Sequence, residues 1–425
     1  MKKELLFLAA LCLAAVQAWG QTTVAQGTCG AEAGGSNLTW TLTSDGTLTI
    51  SGTGDMADFI SGNQPWEEHL AAIRTAVVQE GVTSVGHDFL SDCTGLTSID
   101  LPDGLTSVGY FFLYGCIKLA SIDLPDGLTS VEGSFLYGCT GLTSIDLPDG
   151  LTSVGSFFLS DCTGLTSIDL PDGLTSVGRC FLYGCTGLTS LTLPAGLTSV
   201  GGYFLSNCTG LTSLTLPEGL SSVGDSFLYD CRGLTSIDLP DGLTSVGGSF
   251  LGNCTGLTSI DLPDGLTSVE GYFLSNCTGL TSLTLPAGLK EAGNYFLQNC
   301  MWLQELTVPA ATPPVLGNEG AFAGVDNTIP VCVPAGSTEA YAMADGWNYF
   351  TDYRAVGSSV IGTPSLAACV TVAGGEVRLH LADNPGAHVY DLQGRLVLST
   401  TACRFALPPG IYIIKVGDDK VKVAL

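Results

Sequence analysis

Basic side chains are scarce in this chain. Fourteen Lys and Arg stand against 40 Asp and Glu, giving a net charge of −26 and a pI near 4.1. So acidic a surface repels phosphate backbones and anionic headgroups, which makes nucleic acid and acidic membranes poor partners. Histidine is scarcer still. His69, His87, His380 and His388 are scattered, and no Ser/His or Cys/His arrangement that would support catalysis is legible. Gly104-Leu105-Thr106-Ser107-Val108-Gly109 imitates the opening of a phosphate loop but continues into Tyr110-Phe111 with no lysine, so it reads as an ordinary turn. Beyond the first twenty residues no apolar run is long enough for a membrane span. Those twenty read as a secretory leader: Lys2 and Lys3 precede the apolar run from Leu5 to Val16, and Ala18-Trp19-Gly20 places small residues where a signal peptidase reads them. Removing the leader takes Cys12 away from 16 cysteines. The remainder is odd, which excludes a fully paired disulfide framework for a monomer.

What cysteine does is recur. Cys93, Cys116, Cys139, Cys162, Cys185, Cys208, Cys231, Cys254, Cys277 and Cys300 are each 23 residues apart, in nearly identical surroundings. A fixed period of this length marks a solenoid. Within one copy, Ser167-Ile168-Asp169-Leu170 alternates polar and apolar and predicts a short half-buried strand. Pro171 ends it, because proline cannot donate to a ladder. Leu170-Pro171-Asp172-Gly173 has proline at the second and glycine at the fourth place of a type I turn. Gly155, like Gly86, Gly109, Gly178 and Gly201, marks a second bend, which shifts by one residue at Glu132-Gly133 and Glu270-Gly271. Val154, Phe158, Leu159, Cys162, Leu165, Ile168, Leu170 and Leu174 are the candidates for the inner side. One such repeat buries too little to offset the entropy of ordering its chain, so copies must stack and the ends must be capped.

Both caps are legible. Leu38-Thr39-Trp40-Thr41-Leu42 and Thr47-Leu48-Thr49-Ile50 alternate around Ser44-Asp45-Gly46, a hairpin signal. The series Ile73, Ala76, Val78, Gly81, Val82 mimics the second half of a repeat, and Ala321-Phe322 with Val331 to Gly336 resembles one degenerate further turn. From Val360 onward, Arg378, Arg395, Arg404, Lys415, Lys420 and Lys422 meet Glu376, Asp383, Asp391, Asp418 and Asp419, a nearly neutral balance that sets the tail apart. The expected organisation is a leader (1–20), an N-terminal cap (21–72), repeats (73–310), a degenerate capping repeat (311–356) and a C-terminal domain (357–425).

These motifs resemble the BspA-like family of leucine-rich repeats, whose pattern runs Ile-Gly-x-x-Ala-Phe-x-x-Cys-x-x-Leu-x-x-Ile-x-Leu-Pro. The likeness runs from Ile73 to about Tyr353, with Phe-Leu (Phe89-Leu90, Phe158-Leu159, Phe227-Leu228) standing where the family has Ala-Phe. That swap implies different local packing in the same register. Gly27-Thr28-Cys29-Gly30, Ile50-Ser51-Gly52-Thr53-Gly54 and Pro65-Trp66 look like the family's cap. The tail, Val389-Tyr390-Asp391-Leu392-Gln393-Gly394-Arg395 with Leu407-Pro408-Pro409-Gly410-Ile411-Tyr412, is similar to the C-terminal sorting domain of the type IX secretion system of Bacteroidetes. The resemblance implies a β-rich leucine-rich-repeat solenoid with parallel strands on its concave face, a β-hairpin N-terminal cap and a small C-terminal β-sandwich-like domain. It also implies export to the cell surface, by a route in which such tails are often removed, and adhesion to a protein ligand such as extracellular matrix or another cell's surface protein. Capture of a surface glycan is the alternative function, and an enzyme-associated scaffold a more remote one. No cofactor or metal is implied.

Three sets of residues carry the candidate chemistry. The cysteine ladder supplies one thiol per turn with no histidine beside it, which suits packing better than zinc; Cys369 and Cys403 are a possible pair in the tail. Asp100, Asp123, Asp146, Asp169, Asp238 and Asp261 form an outward column on the strands, with Thr192, Thr215, Thr284 and Thr307 in the remaining copies. Such a column is a solvated face, a surface for a basic partner or a cation site. Aromatics mark where copies differ: Tyr114, Tyr137, Tyr183 and Tyr229 at one position; Phe111, Phe157, Tyr203, Tyr272 and Tyr295 at another. Identical positions are expected to build the core and variable ones to lie outside, free for recognition. Partial burial of these rings against the next turn is the competing expectation.

Overall fold

A computed structural model describes residues 21–356 apart from 318, and in the tail 370–373, 376–379, 387–391, 395–400, 404–408, 411–416 and 419–424. The leader, the segment 357–369 and the Cys369/Cys403 pair lie outside the described residues. The chain divides into two compact units, Met1–Gly187 and Leu188–Leu425.

The first unit begins with the expected hairpin. Strands Leu38–Thr43 and Thr47–Gly52 pair antiparallel, with Trp40 opposite Ile50 and Leu42 opposite Leu48. The turn closes because Asp45 accepts from the Thr43 and Thr47 hydroxyls, at 2.6 and 3.0 Å, and Gly46 takes φ 87°. A further strand, Thr23–Thr28, pairs on the outer side of Leu38–Thr43. Thr47–Gly52 then pairs parallel with Thr75–Val78, which pairs parallel with Ser98–Asp100. The antiparallel cap thus becomes the first parallel rung. Trp66, fully buried, fills the junction with edge contacts to Trp40 (5.9 Å), Phe59 (5.6 Å) and Phe89 (5.8 Å).

Each repeat has two strand rows, not one. The expected Ser-Ile-Asp row is present. A second row, read from the sequence only as an inward valine before a bend, forms the more persistent ladder. Ser130–Val131, Ser153–Val154 and Ser176–Val177 pair parallel in strict register, and in the second unit Ser199–Val200, Ser222–Val223 and Ser245–Val246 do the same. The valine points in and the serine out. In the Ser-Ile-Asp row, where threonine faces threonine, pairing runs over three residues, as in Ser190–Thr192 with Ser213–Thr215 and Ser282–Thr284 with Glu305–Thr307. Where aspartate faces aspartate, at Asp123 and Asp146, a single bridge remains. Threonine favours the pleated conformation, and like charges directly opposite disfavour pairing.

The third side of the turn holds the Phe-Leu pair and the cysteine. Both members of every Phe-Leu pair from Phe89-Leu90 to Phe273-Leu274 are fully buried. The phenyl rings form files: Phe112, Phe135, Phe158 and Phe181 stack at 5.4–5.6 Å in the first unit, and Phe204, Phe227, Phe250 and Phe273 at 5.3–5.7 Å in the second. Of the eight inward candidates in the repeat around Cys162, seven are buried and Leu170 is half-buried.

The second unit closes on a sheet in which Glu305–Thr307, Pro330–Pro334 and Asp352–Val356 continue the parallel row. Phe322 seals the core against Phe296, Trp347 and Phe350. The Trp347 indole N–H donates to the Pro314 carbonyl, and the Tyr341 hydroxyl to that of Ala310, both at 2.8 Å. In the tail, Val370–Ala373, Glu376–Leu379 and Arg404–Ala406 form one antiparallel sheet. Ala387–Asp391, Leu396–Thr400, Ile411–Val416 and Asp419–Ala424 form another. Residues of both sheets, Val377 with Val389 and Ile414, share one small core.

Candidate binding surface

The inner side of the repeat explains the cysteine. Among the described thiols, Cys116, Cys139, Cys162, Cys231, Cys254, Cys277 and Cys300 are buried. Each donates to the carbonyl of the leucine 26 residues earlier, on the preceding turn: Cys139 to Leu113 at 3.2 Å, Cys254 to Leu228 at 3.1 Å, Cys300 to Leu274 at 3.2 Å. Burial pushes the thiols of Cys139, Cys254 and Cys300 up to about 12 from 9.0, so they stay protonated and able to donate. The accepting leucines are left-handed, with φ between 49° and 55° from Leu90 to Leu274. At Leu297 φ is not positive, and the next turn has Val325 in the place of the cysteine that would donate to it. The thiol bond and the left-handed leucine occur together and lapse together. The column just before the cysteine is left-handed as well, and holds only residues that tolerate it: Asp92, Gly115, Gly138, Asp161, Gly184, Asn207, Asp230, Asn253, Asn276 and Asn299. Three of its asparagines form a chain, Asn299 donating to Asn276, Asn276 to Asn253, and Asn253 to the Tyr229 hydroxyl, at 2.8, 2.8 and 2.7 Å.

The candidate residues occupy different sides of the turn. Asp100, Asp123, Asp146, Asp169 and Asp238 are exposed and Asp261 is half-buried, all in the Ser-Ile-Asp row. Tyr114, Tyr137, Tyr183 and Tyr229 are half-buried on the left-handed side, where Tyr114 and Tyr137 stack at 4.9 Å. Tyr203 and Tyr272 are exposed and Tyr295 half-buried, the last two stacked at 4.7 Å. Along the chain the Ser-Val ladder lies between each aspartate and the tyrosine that follows it.

The expectation that variable positions lie outside is corrected. In the column of Tyr114, Tyr137, Tyr183 and Tyr229, the residues Ser91, Ser160, Ser206 and Ser275 are buried. Ser91 and Ser160 donate to the carbonyls of Phe111 and Cys180, at 2.8 and 2.6 Å. A small serine satisfies a backbone carbonyl inside the turn, while a tyrosine at the same place carries its ring outward past it. Asp88, Ser134 and Cys180 in the other column are buried too. A Ser/His contact also exists that no sequence spacing reveals. Ser399 Oγ and His388 Nδ1 are 2.9 Å apart because register places them directly opposite on neighbouring strands. Among the described residues, no group of three or more His, Cys, Asp or Glu side chains could hold a metal ion.

The family description "BspA type Leucine rich repeat region" matches residues 68–189, 136–249 and 175–304, over half of the chain, in six copies. The chain belongs to the BspA-type leucine-rich-repeat family. No curated protein matches its sequence. Among solved structures it is similar to a leucine-rich repeat protein from Bacteroides ovatus, with 22% identity and TM-score 0.48 over 75% of this chain and 98% of that one. A leucine-rich repeat protein from Eubacterium ventriosum matches with 23% identity and TM-score 0.45 over 71% and 95%. A leucine rich cell surface protein from Faecalibacterium prausnitzii matches with 19% identity and TM-score 0.44 over 76% and 94%. The BspA-type pattern accounts for the turn period.

Proposed function

We propose that this protein is exported to the cell surface and there binds a protein partner through the outward columns of its repeats, acting in adhesion and not in catalysis. One observation carries the reading: the inward positions are consumed by a repetitive core, while the same turns carry long files of outward carboxylates and rings. Repeat proteins of this build bind through such extended faces. Extracellular matrix or a surface protein of another cell is the partner class. Export uses the leader at 1–20 and a tail similar to the type IX sorting domain. Among the described residues no helix is long and apolar enough to cross a membrane. Binding of the full chain to immobilised matrix proteins, with Asp100, Asp123, Asp146 and Asp169 changed to Asn, tests the acidic column. Salt-sensitive binding that weakens in the variant supports its role; unchanged, salt-independent binding removes it. Capture of a surface glycan is the second reading, favoured by the stacked Tyr272–Tyr295 pair. A glycan array separates the two.

A further inference from the structure

Between residues 87 and 161 of the first unit runs a ribbon of rings that the core does not use. His87 meets Tyr110 edge-on at 5.1 Å and Phe111 meets Tyr114 at 5.9 Å. Tyr114 stacks on Tyr137 at 4.9 Å, and Tyr137 meets Phe157 at 6.2 Å. Tyr110, Phe111 and Phe157 are 45%, 41% and 43% exposed. Two of these rings sit where folding does not ask for them. Phe111 and Phe157 are left-handed, at φ 58° and 61°, while Ser134, Ser226 and Ser249 fill the same place in sister turns at φ 56–58°. A bulky side chain at positive φ is an uncommon and strained choice. The rim of the ribbon is acidic. The Glu132 carboxylate lies beside the Tyr110 hydroxyl and that of Asp161 beside the Tyr137 hydroxyl, and each holds its phenol protonated above the usual range. A Cβ on Gly115, beside Tyr114, would stand 2.8 Å from Asp92 Oδ1, which places a third carboxylate along the row.

Ring faces and carboxylates present the same sign of potential to a ligand. We propose that this ribbon docks an extended, arginine- or lysine-bearing segment of a protein partner. Its cationic groups lie over Tyr110, Phe111 and Phe157 and are flanked by Glu132 and Asp161. The inference rests on the protein-binding reading above and assigns recognition to the ring ribbon in place of the strand aspartates. A planar guanidinium stacks on rings as well as pairing with carboxylates, so arginine is the better fit.

The test is calorimetric titration of the full chain with a deca-arginine peptide, a deca-lysine peptide and neutral maltoheptaose. The variant Tyr110→Ser/Phe111→Ser/Phe157→Ser copies the serines of sister turns and leaves the net charge unchanged. Deca-arginine should bind more tightly than deca-lysine, and the ring variant should lose about tenfold or more in affinity. Replacing Asp100, Asp123, Asp146 and Asp169 by Asn should cost less than the ring variant. Resonances of Phe111 and Phe157 in the unaltered chain should shift on adding deca-arginine, a readout independent of how the variant folds. Equal peptide binding by wild type and ring variant would reflect general attraction to an acidic chain and overturns the proposal, as does binding of maltoheptaose alone. Matrix-protein binding that the ring variant retains in full overturns the ribbon and leaves the broader reading standing. A wild type that binds neither peptides nor matrix proteins overturns both.

Discussion

The Cys139 thiol donates to the Leu113 carbonyl at 3.2 Å, one turn back, where Leu113 holds φ 54°. The same carbonyl accepts the Cys116 N–H at 3.3 Å, so the thiol is its link across turns. A leucine at positive φ carries roughly 1–2 kcal/mol of steric cost, and the structure keeps it where the thiol binds its oxygen. Cys139→Val removes the donor and leaves no cavity. It should lower stability by about 1 kcal/mol. Cys139→Ala also opens space and should cost about 2 kcal/mol. Urea titrations of the two variants against wild type check the order.

Alkaline pH should unfold this protein. In the folded state the Cys139 and Cys254 thiols are raised to about 12 from 9.0 by burial. A raised folded value means their contribution is fully present below pH 9 and is lost progressively as pH climbs from 9 toward 12. Each thiol withdraws up to about 1.4 kcal/mol per pH unit in that window. Urea midpoints should fall slightly between pH 7 and 9 and much more between 9 and 10.5, and the fall should shrink in a Cys139→Ala/Cys254→Ala variant.

The same burial predicts inertness. At pH 8 the ladder cysteines should resist iodoacetamide in the folded chain and react once urea unfolds it, since the thiolate is the nucleophile. Mass-spectrometric counting of adducts at each site reads this out. Rapid labelling of Cys139 or Cys162 in the native protein would show that the thiols are not packed as described.

Much of this fold was legible, and the gaps have physical causes. The 23-residue period, the hairpin at Ser44-Asp45-Gly46 and the strand ended by Pro171 follow from patterns that sequence carries directly: spacing, alternation and proline. The Ser-Val ladder was hidden because two residues are too few to alternate. The left-handed rows were hidden because leucine and phenylalanine give no sign of positive φ; only the Gly/Asn/Asp column before each cysteine did, and it looked like surface variation. The split of the candidate site into aspartate and tyrosine sides depends on which way each turn bends, which periodicity alone does not encode. The burial of Ser91 and Ser160 escaped for a similar reason, since a serine satisfied by a backbone carbonyl looks the same in sequence as one in water.

That column gives its own prediction. Gly138 stands at φ 70°, and a Cβ there would meet only the Gly115 backbone, in ordinary contact at 3.9 Å. Gly138→Asn copies Asn253 and Asn276 and should leave stability within about 0.5 kcal/mol. Gly138→Val forces a β-branched residue into the left-handed region and should cost about 1–2 kcal/mol or more. Thermal melts of the pair separate conformation from packing.

Charge along the strand row acts against the fold. Asp123 and Asp146 face each other across a single bridge. Changing both to Asn should raise stability by roughly 0.5–1 kcal/mol at low salt and by less at high salt, as screening removes the repulsion. Denaturation at 10 mM and 500 mM sodium chloride measures both effects.

Binding of the full chain to an immobilised panel of matrix proteins and glycans tests the functional reading most directly, with the ring variant and the four-aspartate variant run beside the wild type. The expected result is a protein ligand that wild type binds in a salt-sensitive way, with the largest loss in the ring variant. Binding confined to glycans, or a protein ligand held equally by all three chains, would contradict it.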